Sequence, residues 1–541
     1  MYMRRGMENT VPRWPDIIPP EPFILTDISM LAKIQSNAVV GVDGLPVEVE
    51  VDISYGLPSF STVGLPEGAV RESRERVKAA IKNSGYEFPN RRITVNLAPA
   101  DVKKEGTGYD LPMALGILAA FDILRSDIIS RFGVIGELSL DGSVRPAKGI
   151  LPMAIAARDV GLEGILVPQE NANEAAIVSG IKVIGVKTLY EAVEFLAGST
   201  DIQPTTVDLQ SIFTNSTLYD VDFDEVKGQE HVKRALEIAA AGGHNILMKG
   251  PPGSGKTMLA RRLPTILPDM VFEEALETTK IYSVMGLLPP EKPLLTSRPF
   301  RSPHHTISDA GLIGGGQTPK PGEVSLSHNG VLFLDESAEF KKHVLEVLRQ
   351  PVEDGLVTIS RATGTLSFPA RFILVIALNP CPCGYLGDSK HNCTCSAVQI
   401  QRYENKLSGP LQDRIDMHLD VPALPYKEMS GANSIGESSK EIKNRVENAR
   451  IIQKERYKLR KNFYCNGQMG SRDLKEYCVL DQPSQKLLED AVERLGLSAR
   501  SYHRILKIAR TIADLDRTVE LQTGHIAEAI QYRRLDRQKI Y

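Results

Sequence analysis

Gly250-Pro251-Pro252-Gly253-Ser254-Gly255-Lys256-Thr257 decides how the rest of this chain is read. It fits the pattern G-x-x-x-x-G-K-[ST], whose glycines let backbone N–H groups turn inward around a triphosphate. Asn245-Ile246-Leu247-Met248-Lys249 before it reads as a short buried strand, and Met258-Leu259-Ala260-Arg261-Arg262-Leu263 after it as the first turns of a helix. A strand on one side and a helix N-terminus on the other is the setting the loop requires, because the helix end adds partial positive charge. In that setting Lys256 reaches the β- and γ-phosphates of ATP and the Thr257 hydroxyl ligates Mg²⁺.

Around this loop the chain has 541 residues, enough for three or four domains. With 42% hydrophobic and 24% charged residues it has the composition of a soluble globular protein. No apolar run is long enough to span a membrane. No secretory signal follows Arg4 and Arg5, so the expected location is the cytoplasm. Net charge is −3, but residues 426–541 carry 23 Lys and Arg against 16 Asp and Glu. A basic end on an acidic body reads either as a polyanion-binding face or as a solvated helical surface.

Five segments are expected. Residues 1–29 are rich in proline and aperiodic, and read as a disordered leader; Met1 and Met30 are both candidate starts. Residues 30–200 mix strands and helices as an α/β or α+β layered fold. Val47, Val49, Val51 and Ile53 share a strand face, and Val70, Val77 and Ile81 a helix face. Leu111 to Leu124 reads as an apolar helix and Gly133 to Leu140 as a strand. Residues 201–221 read as a linker, residues 222–425 as the nucleotide-binding core, and residues 426–541 as a helical end. The last opens with one long helix from Ser438 to Lys461 rich in Lys and Arg, which suits binding to a nucleic-acid backbone.

In the second segment, Gly136-Glu137-Leu138-Ser139-Leu140-Asp141-Gly142, Val144-Arg145-Pro146, Ile165 to Asn171, and Lys104-Glu105-Gly106-Thr107-Gly108 resemble the Lon protease domain fold. Lon-type proteases use a Ser–Lys pair. The positions matching that pair here are Gly108 and Leu151, which supply neither nucleophile nor base. Lys148 and Ser143 lie nearby but not at those positions. The resemblance therefore implies the fold without peptidase activity, used as an oligomer scaffold or for DNA contact.

In the core, Asp222 to Gln229 resembles the adenine-side entry segment of AAA+ ATPases. Val331-Leu332-Phe333-Leu334-Asp335-Glu336 reads as a buried parallel strand ending in two acids, about 80 residues after the phosphate loop. Asp335 is suited to holding Mg²⁺ through water, and Glu336 to orienting and deprotonating the attacking water. The AAA+ resemblance implies three further roles. Asn379, ending the strand Arg371 to Leu378, would sense the γ-phosphate. Arg414, in Ser408-Gly409-Pro410-Leu411-Gln412-Asp413-Arg414, would be the arginine finger supplied to the next subunit of a ring, most often a hexamer. Arg500, in Leu497-Ser498-Ala499-Arg500, would be a second sensor.

Pro299 to Thr306, Gly314-Gly315-Gly316 and Gly322 to Gly330 are similar to the magnesium-chelatase-type AAA+ family, and within it to the YifB/ComM family across nearly all of residues 30–541. That family is linked to competence and to branch migration of DNA. Arg349 to Arg361 also resembles the pore hairpin of minichromosome-maintenance helicases, where Arg361 would touch DNA phosphates. His304 and His305 read as structural or pore-lining. Cys381, Cys383, Cys393 and Cys395 read either as a Zn²⁺ site, with C-x-C spacing tighter than usual, or as four reduced thiols.

The leading expectation is a ring-forming ATPase acting on single-stranded or branched DNA. The alternatives are a magnesium-chelatase-type metal-insertion motor and, disfavoured by Gly108 and Leu151, an ATP-dependent protease.

Overall fold

The computed structural model describes residues 30–533, except 67, 105, 215–218, 290, 362–363, 389–390, 424–435 and 461–462. The leader expected at 1–29, and with it the choice of start, lies outside the described residues.

The N-terminal part is built on a seven-stranded mixed sheet. Its strands are β1 (Leu31–Val40), β2 (Asp43–Ser54), β3 (Ser59–Val63), β4 (Arg92–Ala98), β5 (Phe132–Val134), β6 (Gly164–Pro168) and β7 (Lys182–Val186), in spatial order β3-β4-β2-β1-β5-β6-β7. The alternation along β2 places Val47, Val49, Val51 and Ile53 inside. Against them pack α1 (Gly68–Asn83), through Val70, Val77 and Ile81, and the wholly buried α2 (Asp110–Ala120). The stretch expected to form one strand from Gly133 to Leu140 is divided into β5 and a short piece, Glu137–Leu138. At the division a Cβ on Gly136 would meet Val144 at 2.9 Å and Leu111 at 3.1 Å, so the chain turns where only glycine fits.

The other sheet face carries α3 (Ile150–Asp159), and through it the two halves of the molecule meet. Ile150, Leu151 and Ala154 share one apolar cluster with Met270, Ala275 and Leu294 of the second half. The buried carboxylate of Glu174 accepts from the Ser283 hydroxyl at 2.5 Å, from Asn171 Nδ2 at 2.9 Å and from the Leu151 amide at 3.0 Å. Burial pushes its pKa up and those three donors push it back. The segment expected to be a plain linker holds a helix, Leu209–Thr214, whose Leu209, Ile212 and Phe213 pack on the same cluster.

The second half is an α/β layer built on a parallel sheet. Five strands, β8 (Ile246–Lys249), β9 (Phe300–Arg301), β10 (Val331–Leu334), β13 (Ile373–Leu378) and β14 (Met417–Asp420), run parallel in the order β9-β10-β13-β8-β14. The intervening β11 (Leu356–Arg361) and β12 (Gly364–Pro369) form a separate antiparallel hairpin. One face of the parallel sheet is covered by α4 (Glu230–Gly242) and α5 (Lys256–Ile266), and both faces are apolar. Because β8, β10 and β13 are parallel neighbours, the residues following each emerge on one edge.

The C-terminal helices α6 (Ser439–Arg456), α7 (Gln482–Leu495), α8 (Ala499–Leu515) and α9 (Thr523–Gln531) pack onto α4 and α5 and share their core. Helix α6 opens on a capping box in which Ser438 and Glu441 satisfy each other's backbone amides. It ends at Arg456, ahead of the expected Lys461, which lies outside the described residues. Its cations are largely spent inside the molecule. Arg445 lies between Glu237 and Glu437, Arg456 holds Asp514, and Lys443 holds Asp269 at 2.6 Å. Those three cations therefore face acids of the protein itself rather than an open basic surface.

Candidate functional site

The phosphate loop leaves β8 and returns as α5. Gly253 and Gly255 take φ of +74° and +88°, the left-handed region that lets consecutive amides face one concavity. Gly250 is required for a different reason: a Cβ there would lie 2.1 Å from the Val421 carbonyl. Lys256 folds back over the loop, donating to the carbonyls of Gly250 at 2.7 Å and Pro251 at 2.9 Å, with Asn379 Oδ1 at 3.3 Å. Burial pulls its ammonium below the ordinary lysine range, while Asp335 and Glu336 push it back up. A cation held by neutral carbonyls is one that an anion displaces readily.

Thr257 Oγ1 donates to Asp335 Oδ2 at 2.6 Å, joining the first turn of α5 to the end of β10. A hydroxyl and a carboxylate side by side are the donors a hard Mg²⁺ takes, with Thr257 as a direct ligand and Asp335 holding it through water. Glu336 follows in a left-handed conformation, φ 47° and ψ 44°, with its amide donating to Asp335 Oδ1 at 2.9 Å. A non-glycine residue held there costs about 1 kcal/mol or more, and such conformations concentrate at functional positions. Its carboxylate is exposed beside the site. The structure thus gathers Gly250 to Thr257, Asp335, Glu336 and Asn379 at one sheet edge.

Arg414 and Arg500 are elsewhere. Arg414 precedes β14 and sits at the opposite sheet edge, bonded to Glu353 through Nε at 2.9 Å and to the Pro410 carbonyl. Arg500 is exposed in the first turn of α8. One turn later, Arg504 reaches the core, donating to the buried Asp416 and, at 3.0 Å, to the carbonyl of Arg414. Asp416 also accepts from the Asn245 amide at 2.8 Å. The fully buried His244 stands beside it, its Nε2 2.9 Å from Thr511 Oγ1 of the same helix α8.

Sequence reading missed several members. Gln229 is buried with φ +57° and donates to the carbonyls of Ser254 at 2.9 Å and Pro422 at 3.2 Å, clamping the phosphate loop from behind. Its place at the end of the adenine-side segment was the available signal. Lys249 pairs with Glu404 at 3.1 Å, and nothing local reveals that contact.

The hairpin β11–β12 is anchored by Val357, Ile359 and Phe368. Hydroxyl pairs Thr358–Ser367 and Ser360–Thr365 line its exposed face, and Arg361 is exposed at the end of β11. His304 and His305 lie with ring centroids 4.0 Å apart and planes tilted by 35°, and His305 meets Phe340 edge-on at 6.4 Å. In the N-terminal half, Gly108 faces Ile135 and Ala147, and Leu151 is fully buried. The four cysteine sulfurs lie within 4.8 Å of one another. Among the described residues no helix is long and apolar enough to cross a membrane.

Residues 222–429 match the family described as magnesium chelatase, subunit ChlI; residues 49–171 match subunit ChlI of Mg-chelatase; residues 436–533 match the ChlI C-terminal family. The chain is 45% identical to the competence protein ComM of Haemophilus influenzae over 510 residues, covering 94% of this chain and 98% of that one. It is 44% identical to the uncharacterized protein YifB of Salmonella typhimurium, with coverage of 94% and 98%. The magnesium-chelatase 38 kDa subunit of Rhodobacter capsulatus is 27% identical over 177 residues, 29% of this chain and 50% of that protein.

Proposed function

This chain belongs to the YifB/ComM family of magnesium-chelatase-like AAA+ proteins, and from that premise we propose that it is an ATP-hydrolysing, ring-forming motor that moves on or remodels DNA. The observation that supports the motor most directly is the meeting of Lys256, Thr257, Asp335 and Asn379 at one sheet edge. ATP and Mg²⁺ are the cofactors this family and this site suggest. In this reading the inward amides and Lys256 bind the β- and γ-phosphates, and Asn379 orients the γ-phosphate. Glu336 accepts a proton from water as its oxygen bonds to the γ-phosphorus and the bond to the β,γ-bridging oxygen breaks. Mg²⁺, when bound by Thr257 and Asp335, neutralises charge on the phosphate oxygens.

Arg414, at the far edge from its own phosphate loop, is read as the finger offered to a neighbouring subunit, with Arg500 as the second sensor; the assembly is read as a hexamer. The segments are read as 1–29 leader, 30–200 Lon-like layer without a Ser–Lys pair, 201–221 connection, 222–425 core and 426–541 helical lid. A cytoplasmic location accompanies this reading. DNA as substrate is supported by the exposed hydroxyls and Arg361 of the hairpin, which suit phosphate contacts, and by the printed name of the ComM relative as a competence protein. Branch migration of recombining strands is the activity we favour. A metal-insertion motor is the second reading, favoured by the ChlI matches.

The test is a branch-migration assay on forked and four-way DNA, comparing wild type with Lys256→Ala and Glu336→Gln, alongside ATP turnover with and without DNA. ATP-dependent strand movement lost in both variants is expected. Turnover indifferent to DNA, with no salt-dependent DNA binding, would remove the DNA reading.

A further inference from the structure

Two residues after Asn379, the chain enters a loop that no step of hydrolysis uses. It carries Cys381, Cys383, Cys393 and Cys395, and Cys395 is followed at once by Ser396, the N-cap of the helix Ala397–Glu404. The sulfur of Cys381 is 3.3 Å from that of Cys383 and 3.7 Å from that of Cys393, and Cys383 and Cys393 are 3.6 Å apart. A tetrahedral ion with Zn–S bonds of about 2.3 Å sets its sulfurs about 3.8 Å apart. A disulfide would need about 2.05 Å. Four sulfurs all within 4.8 Å enclose a single ion, since a multi-iron cluster holds its ligands further apart.

Backbone donors also face two of the sulfurs. The Cys383 amide donates to Cys395 Sγ at 3.4 Å, and the backbone at Tyr385 and Thr394 donates to the Cys383 sulfur. Cys381 is fully buried, while the other three are partly accessible, which leaves an ion a way in. The same loop touches the phosphate loop. Gly384, at φ +84°, lies so close to Pro252 that a Cβ there would be 2.6 Å from Pro252 Cδ.

We propose that these four cysteines bind one Zn²⁺ as a tetrathiolate, and that the ion holds the loop after Asn379 against Pro252, fixing the phosphate loop for nucleotide. The metal site stands on its own geometry; only its coupling to nucleotide rests on the function proposed above.

The full-length chain, purified under reducing conditions from zinc-containing medium and gel-filtered with chelator, is assayed for metal. One zinc per chain is expected, lost in Cys383→Ser and Cys395→Ser. Cobalt exchanged into the wild type should give the d–d and thiolate charge-transfer bands of a tetrahedral tetrathiolate, a readout that holds even if the serine variants fail to fold. Wild type that retains no zinc and takes none up on titration, or that carries iron instead, overturns the site. For the coupling, a fluorescent ATP analogue should bind about tenfold more weakly after zinc is stripped by a high-affinity chelator, equivalent to about 1.4 kcal/mol, and recover on zinc return. Unchanged affinity in fully stripped, folded protein overturns the coupling but not the site. Failure of the zinc-loaded protein to bind nucleotide would instead count against the ATPase reading.

Discussion

Mixing two inactive chains gives the sharpest test of how the site is completed. Arg414 lies three residues before β14, and the phosphate loop begins beyond the far end of the parallel neighbour β8, with Ile246 level with Met417. At about 3.3 Å per residue, strand length alone puts about 10 Å between them before the loop and the three residues ahead of Met417 are added, further than one arginine stem reaches. Arg414 therefore serves a phosphate on another chain or none at all. A finger contributes roughly 10³–10⁵ in kcat, about 4–7 kcal/mol. Its present bond to Glu353, an acid 54% exposed, offsets only about 0–1 kcal/mol of that.

Arg414→Ala and Lys256→Ala should each abolish steady-state phosphate release. Combined in equal amounts and allowed to exchange subunits, they should regain activity. About a quarter of boundaries then pair an intact phosphate loop with an intact finger, so turnover should return to about a quarter of wild type if boundaries act independently. Glu353→Gln should stay within about twofold of wild type. A mixture no more active than the sum of its parts, or an Arg414→Ala chain that turns over normally, would refute the trans assignment.

Glu336→Gln should bind ATP normally yet hydrolyse it roughly 10²–10⁴-fold more slowly, measured by equilibrium binding beside single-turnover hydrolysis. Arg361→Ala should weaken DNA binding and reduce the slope of log affinity against log salt by about 1, read by anisotropy titrations at several salt concentrations. Burial, helped by the nearby cations Lys507, Arg450 and Arg504 and opposed by Asp416, lowers the pKa of His244 from 6.5 to about 4. The neutral ring therefore contributes stability that is full above pH 6.5 and lost as pH falls through about 4, roughly 3 kcal/mol in all. Thermal unfolding followed between pH 7.5 and 4 should show His244→Gln flattening that loss, and an unchanged pH profile would refute the assignment. Gln229→Ala should lower nucleotide affinity with little change in unfolding temperature, because it frees the Ser254 carbonyl at the loop without opening a large cavity.

How much of this was legible beforehand depends on sequence distance. The phosphate loop, the Asp335-Glu336 pair and the strand before Asn379 are contiguous signals, each readable from a few residues. Gln229, Glu404 and Arg504 act on Ser254, Lys249 and Asp416, between 25 and 155 residues away, where no local pattern points. Charge counting, which left a polyanion-binding face and a solvated surface both open, is blind for a related reason. It registers Arg445 and Arg456 as free cations, whereas the fold pairs them with Glu237 and Asp514, which lie in other helices. The close approach of Leu111 and Val144 to Gly136, where the strand is interrupted, is a tertiary fact that periodicity along the strand does not contain.

The grip of Arg504 on the peptide carbonyl of Arg414 has a mechanical corollary. On the reading proposed above, the cap over a chain's own nucleotide is fastened by Arg504 to the backbone of the very residue held out to its neighbour. In a closed ring, a swing of that cap would tug the adjoining subunit's transition state. Firing around such a circle would then have a handedness, inherited from the chain's own connectivity.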